Sequence, residues 1–266
     1  MPGRGRHDGV TVMPMRADQL LVQRGLAATR SQAQRLIASG LRWHDGRDWQ
    51  VVGKNGEELP EAAQLELQDD AETRFVSRGG LKLAGALDVA GIDPNAMRCL
   101  DIGQSTGGFT DCLLQRGAAQ VVGVDVGHGQ LHERLRADPR VVCLEKVNAR
   151  ELDATQLHQA GVDPGFDLVV GDLSFISLSL VLPALAPLLR DAGTLLMLVK
   201  PQFELQPGQL GKGGIVRDEA LYPVVERRIR DACAAAGLQV QGWFDSPIRG
   251  GDGNREFFVQ ACKEPR

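Results

Sequence analysis

A chain of 266 residues, 43% hydrophobic and 24% charged, has room for one large α/β domain and a small partner, so two domains are expected. Its longest apolar runs, such as residues 195–199, are too short to span a bilayer, and five scattered cysteines without a Cys-x-x-Cys pair point to a reduced, cytoplasmic setting. A net charge of −4 excludes long-range attraction of the whole protein to nucleic acid, so any affinity for RNA must be local.

Residues 1–13 have no apolar periodicity and read as a flexible tail. The first 47 residues carry eight arginines against three aspartates, whereas 48–72 carry eight acidic residues against Lys54 alone. A helix is predicted from Arg16 to Gly25 and a second from Thr29 or Ser31 to Gly40. In the second, Ala33, Leu36 and Ile37 share one stripe, which leaves Arg30 and Arg35 available to solvent or phosphate. Short strands follow at 41–44, 48–52 and 65–67, with turns at Asp45-Gly46 and Asn55-Gly56. We place a small α+β domain at 14–72, a linker at 73–78 and a second domain at 79–266.

From Ser77 onward apolar strands alternate with helices. Strands are predicted at 99–103, 120–126, 141–147, 167–173, 194–200, 239–244 and 256–262, and helices at 78–90, 109–116, 130–136, 178–189 and 219–236. Repeated strand–helix units require a parallel sheet covered on both faces. The last two strands are joined by SPIRGGDGN rather than by a helix, which predicts an antiparallel end to a seven-stranded, Rossmann-like sheet.

The sharpest local signal is CLDIGQSTGGFTDCLL, an apolar strand ending in Asp101 that runs through Gly103, Ser105, Gly107 and Gly108 into a helix. Glycines there let backbone approach a ligand and let the helix pack on the strand. The spacing is not the Gly-x-Gly-x-x-Gly of a dinucleotide fold. It matches the Gly-x-Ser-x-Gly of serine hydrolases, but no histidine follows His158 to complete that chain order. The next strand ends in Asp125, the position at which open α/β sheets set an acid against ribose hydroxyls, or else an aspartate that caps the following turn. His128 and His132 lack a third ligand, so the sequence requires no metal.

Asp172 and Lys200 each end a strongly apolar strand, where an unpaired charge is costly, so a mutual ion pair or a functional role is expected of them. Taken alone, Lys82 reads as a surface lysine on an amphipathic helix, and Glu256 as an edge residue or a functional one. The segment PGQLGKGG after Lys200 reads as a mobile flap or a surface loop.

These motifs carry a resemblance. TRSQAQRLIASGLRWHDG resembles the S-four-type RNA-binding domain, which implies phosphate contacts for Arg16, Arg30, Arg35 and Arg42. The DIG-x-STGGFTD loop resembles the S-adenosylmethionine loop of class I methyltransferases. That implies Asp101, Gly103, Ser105 and Gly107 beside the methionine moiety, Asp125 on the ribose and Asn148 near the adenine; Gln104 departs from the small residue expected in that loop. Lys82, Asp172, Lys200 and Glu256, in that order, resemble the catalytic tetrad of FtsJ-type ribose 2′-O-methyltransferases. With RFVSRGG, DLSFISL and LVKPQFE added, the chain resembles the TlyA family from Arg16 almost to its end.

That family implies S-adenosylmethionine-dependent cytidine 2′-O-methylation of ribosomal RNA or a ribosomal subunit, and the short C-terminus is similar to members expected to act on large-subunit RNA. A methyl acceptor of this kind must be aligned in line and relieved of its proton. By the same resemblance Lys200 receives or steers that proton, while Asp172 and Glu256 orient the ammonium groups and the ribose. The family also bears the name haemolysin, so a membrane-lytic protein is one alternative and a non-catalytic RNA-binding ribosome factor another. The absence of a spanning segment or cationic lytic helix argues against the first, and the complete tetrad against the second.

Overall fold

The computed structural model describes residues 14–27, 29–38, 40–67 and 74–264, which fall into two compact units divided between Arg74 and Phe75. The tail expected at 1–13, the boundary expected at 72–73 and the side chain of Arg35 lie outside the described residues.

The N-terminal unit runs β1 (Pro14–Arg16), α1 (Ala17–Gln23), α2 (Arg30–Ala38), β2 (Leu41–His44), β3 (Trp49–Val51), β4 (Glu58–Pro60) and β5 (Gln64–Leu67). The apolar stripes of the two helices meet through Leu20, Leu21, Leu36 and Ile37, closed over by Leu41 and Leu59. Strand β2 pairs antiparallel with β3 and β5. The β2–β3 turn forms as its sequence predicts: Asp45 Oδ1 accepts the amides of Arg47 and Asp48, and Gly46 takes φ 99°. The β1–β4 pair was not predicted, because strands of three residues are too short to show a period.

The C-terminal unit runs α3 (Gly79–Ala90), β6 (Arg98–Ile102), α4 (Gly108–Gln115), β7 (Gln120–Asp125), α5 (Glu133–Arg136), β8 (Val141–Glu145), α6 (Ala154–Gln159), β9 (Phe166–Gly171), α7 (Leu182–Leu185), β10 (Leu189–Val199), α8 (Pro201–Glu204), α9 (Tyr222–Ala235), β11 (Leu238–Asp245) and β12 (Phe257–Lys263). Its seven strands stand in the order β11-β12-β10-β9-β6-β7-β8. Strand β12 alone runs against its neighbours, antiparallel to both β10 and β11. This is the Rossmann-like sheet with one reversed strand that the sequence leads one to expect.

Alternation along the strands explains the near-continuous apolar runs. Leu100 and Ile102 face one core with Leu195, Met197 and Val199, while Cys99 faces the other with Leu196 and Leu198. Each face is buried under helices, so both sets of alternating residues must be apolar.

Several elements depart from the prediction: β10 begins at Leu189 rather than 194, and α8 was not predicted. The helix expected at 178–189 is interrupted, two 3₁₀ turns flanking α7, because Pro183 and Pro187 remove backbone donors. Helix α5 occupies only the last turn of the predicted 130–136 segment. Helix α6 was not predicted, although its capping box was legible: Asp153 accepts from the Gln156 amide and the Gln156 side chain accepts from the Asp153 amide.

Candidate active site

The antiparallel last strand creates the site. Gly171 of β9 is level with Met197 of β10, and Val199 of β10 is opposite Phe257 of β12. Asp172 and Lys200, which leave the carboxyl ends of two parallel strands, therefore meet Glu256, which enters the start of the reversed one. Helix α3 crosses this edge with Lys82 on its buried side.

The four side chains form a line of alternating charge. Glu256 Oε2 lies 2.5 Å from Lys82 Nζ, and Lys82 Nζ lies 3.9 Å from Asp172 Oδ2. Asp172 Oδ1 lies 2.5 Å from Lys200 Nζ, which also donates to Ser174 Oγ at 2.9 Å. Lys82 and Glu256 are buried, and Lys200 is largely so. Burial raises the Glu256 carboxyl above its ordinary value, and the Lys82 ammonium acts against that rise. The structure thus brings together all four residues proposed for the tetrad.

Three cavities open along this line. The first, of about 490 Å³, lies over the carboxyl ends of β7 and β9 and is lined by Asp125, Asn148, Val126, Leu173 and Ile176 among others. Val126 is 76% exposed despite its apolar side chain, so with Leu173 and Ile176 it makes a slot suited to a purine. Asp125 borders that slot, its carboxylate accepting the amides of Ser105 at 2.7 Å and Gly127 at 2.6 Å. Asn148 also borders it, accepting from the Arg150 amide. The second cavity, of about 200 Å³, shares Gly103, Ser105 and Asp172 with the first and reaches Lys200. The third, of about 390 Å³, lies beyond Lys200 and includes Lys82, Phe175, Gln202 and Asp252. Ser174 borders all three.

The glycine loop is needed for this geometry. A Cβ at Gly103, where φ is 80°, would stand 2.7 Å from the Asp172 carbonyl, and one at Gly107 would stand 2.3 Å from Leu135 Cδ1. Asp101 lies behind the loop and borders none of the three cavities: it is buried, and Oδ2 accepts from Thr110 Oγ1 at 2.7 Å. Burial pushes its carboxyl up to about 7, against the opposing hydrogen bond from Thr110. Gln104 donates to the same Thr110 oxygen at 2.9 Å, with its side chain lying over Gly123. A large residue is accommodated at that position because the neighbouring strand has no Cβ there.

In the N-terminal unit, Arg16 and Arg30 converge on the buried carboxylate of Asp18, at 3.1 and 2.9 Å. Arg16, followed by Arg30, holds that carboxyl well below the ordinary range. Both guanidinium groups keep about half of their side-chain surface exposed. Arg42 lies 3.6 Å from Glu66 and over the Trp49 ring.

The model of the FtsJ-like methyltransferase family matches residues 75–263. Over 250 residues the chain is 45% identical to the 16S/23S rRNA (cytidine-2′-O)-methyltransferase TlyA of Mycobacterium tuberculosis, covering 92% of this chain and 88% of that one. The chain belongs to the TlyA family of FtsJ-like methyltransferases. It is also 35% identical to Hemolysin A of Brachyspira hyodysenteriae, with 92% of this chain and 98% of the relative covered. A solved Streptococcus thermophilus protein that carries a hemolysin name superimposes with a TM-score of 0.72 at 39% identity, covering 96% and 90% of the two chains. Among the described residues of this TlyA-family chain, no helix is long and apolar enough to cross a membrane, and no cluster of His, Cys, Asp or Glu could hold a metal ion.

Sequence reasoning missed three residues that the TlyA fold brings to the site. Ser174 follows Asp172 in DLSF and so was close to a motif already singled out. Phe175 is 91% exposed at φ 64° on the lip of the first and third cavities, and no sequence signal distinguishes such a phenylalanine from a core residue. Glu204 is buried and accepts from Ser177 Oγ and the Leu178 amide, so it ties the segment after Lys200 to the loop that carries Ser174 and Phe175.

Proposed function

We propose that this TlyA-family protein transfers a methyl group from S-adenosylmethionine to the ribose 2′-hydroxyl of a cytidine in ribosomal RNA. One observation carries the reading: Lys200, paired with Asp172 of the second cavity, lines both the second cavity and the third. The first two cavities fit the cofactor, with an apolar slot for a purine, a carboxylate for ribose hydroxyls and a narrow channel toward Lys200. Asp125 and Asn148 are the proposed adenosine contacts, and Gly103, Ser105 and Gly107 shape the loop around the methionine end. Asp101 acts on that loop from behind, through Thr110. When bound, S-adenosylmethionine supplies a methyl group on a cationic sulfur.

The protein must align the hydroxyl and manage its proton. Lys200, held by Asp172 and Ser174, faces the boundary of the two cavities and steers or receives that proton. Lys82, held by Glu256, stands on the far side of Asp172 from Lys200 and helps to orient that carboxylate. No metal enters this scheme.

The mycobacterial relative's name supports cytidine 2′-O-methylation, and large-subunit RNA, one of the two substrates in that name, is the proposed target. The N-terminal unit, with 73–78 as linker, is proposed to bind RNA phosphates through Arg16, Arg30, Arg35 and Arg42, in the cytoplasm where ribosomes reside. Tritium transfer from labelled cofactor to isolated small and large ribosomal subunits, followed by nucleoside analysis, tests the reading. Labelled 2′-O-methylcytidine from large-subunit RNA is the expected product; label in a base, or none in RNA, overturns it.

A further inference from the structure

The third cavity contains polar groups that the methyl-transfer scheme does not use. Its lysines are engaged by Asp172 and Glu256, but Gln202 and Asp252 face one another in the same wall. Gln202 Nε2 donates to Asp252 Oδ2 at 3.0 Å. Gln202 is 9% exposed, and its Oε1 is buried without a hydrogen-bond partner among the described residues. A buried acceptor left without a donor is destabilising, so this oxygen marks a place where a donor is wanted.

Asp252 is itself fixed. Its Oδ2 also accepts Asn254 Nδ2 at 2.8 Å, and its Oδ1 accepts the Asn254 amide at 2.9 Å. Burial raises this carboxyl, but the Asn254 donors more than reverse the effect and hold it below the ordinary carboxylate value. An ionised carboxylate has about four acceptor sites, so these three bonds leave roughly one free. The carboxylate also removes a degree of freedom from Gln202. An amide can ordinarily turn to present either N–H or C=O, but here the NH₂ group is committed to Asp252. With one N–H fixed on Asp252, the amide is held in one orientation, and the pair offers two acceptors, the unpartnered Oε1 and the remaining Asp252 site, beside the second Nε2 hydrogen. Phe175 and Phe203, with ring centroids 5.2 Å apart, add apolar surface to the same cavity. Gly250 links this wall to the tetrad: a Cβ there would lie 2.6 Å from Glu256 Oε1 and 2.8 Å from Asp252 Oδ1.

We infer that Gln202 and Asp252 select the nucleobase of the target nucleotide by accepting a hydrogen bond from its exocyclic amine, and so admit cytosine and reject uracil. Cytosine presents an amino donor at the position where uracil presents a carbonyl acceptor. An unpartnered buried acceptor beside a carboxylate satisfies the first and opposes the second, and sites built around a buried hydrogen bond discriminate strongly. The inference rests on the ribose-methylation reading above, and names the base that accompanies the ribose.

The test uses the full-length enzyme, with native large ribosomal subunits and subunits whose methylated cytidine, mapped with wild-type enzyme, is replaced by uridine. Wild type is expected to favour cytidine by roughly a hundredfold or more in kcat/KM. Asp252→Asn, which frees the Gln202 amide to turn, is expected to reduce that ratio to about tenfold or less while cofactor affinity stays unchanged. Gln202→Leu, which removes the acceptor without touching Asn254, is expected to slow cytidine and spare uridine, and serves if the first variant does not fold. Equal slowing of both substrates by the two variants assigns the pair a merely structural role and overturns the inference. So does a wild-type enzyme indifferent to the base. Failure of wild type to methylate any ribose overturns the underlying reading as well, and is distinguished by the absence of product on native subunits.

Discussion

Lys200 Nζ lies 2.5 Å from Asp172 Oδ1 and borders both the second cavity, proposed for the methionine end of the cofactor, and the third, proposed for the nucleotide. Neither partner has another ion-pair neighbour as near, so loss of Lys200 removes the charge at the reacting position without opening the core. Lys200→Ala is expected to leave fold and cofactor affinity nearly intact, and to lower single-turnover methylation by roughly a hundredfold or more. Lys200→Arg separates two roles, since arginine keeps the charge but cannot accept a proton at neutral pH. Wild-type turnover in the arginine variant leaves electrostatic steering alone; wild-type turnover in the alanine variant removes Lys200 from the mechanism.

Asp125 gathers the amides of Ser105 and Gly127 while bordering the first cavity, so it shapes the pocket and is the proposed contact to the cofactor ribose. Two charge-assisted hydrogen bonds to a ligand are at stake. Calorimetry on Asp125→Ala should show S-adenosylmethionine binding weakened by about tenfold to a hundredfold or more. Unchanged affinity in a folded variant refutes the assignment.

Phe175 exposes 91% of its surface in a left-handed backbone conformation, an arrangement that costs stability and buries little beyond its contact with the Phe203 ring. Truncation should therefore not harm the fold. Phe175→Ala is expected to leave the melting temperature within about 2 °C of wild type, and to raise KM for ribosomal subunits by roughly tenfold through loss of an aromatic surface for a base. An unchanged KM shows that this side chain does not meet RNA.

Asp101 gives a pH signature of stability. Its carboxyl is raised to about 7 in the folded state, whereas an unfolded chain holds it near the ordinary value of about 4. The folded protein therefore binds the additional proton between those values. The stability linked to that proton is fully present below about pH 4, and is lost as pH rises through about 7. Asp101→Asn cannot ionise, and its amide oxygen can still accept from Thr110. Calorimetric scans from pH 5 to pH 8 are expected to show the wild-type melting temperature falling by several degrees more than that of the variant. Parallel curves overturn the proposed protonation.

The seven strands of the large sheet were legible along the chain, because burial of both faces writes a continuous apolar run at each strand and the turns between them interrupt it. Asp172 and Lys200 stood out for a related reason: a charge at the end of such a run must be paired or used. The motif around Gly103 and Gly107 was equally local, since close backbone approach excludes side chains. Only the tertiary structure decided what these pieces do together. Lys82 meets Glu256 across 174 positions of sequence because β12 reverses direction beside β10, and no local pattern records which residue a strand will face. The same holds for Gln104, whose size is intelligible only once Gly123 is found beneath it. Phe175 is a further case, since apolar character in a sequence predicts burial and only the path of the loop brings this ring into solvent. Periodicity reports the environment averaged over an element, whereas a site depends on contacts between elements, and those are set by how the whole sheet packs.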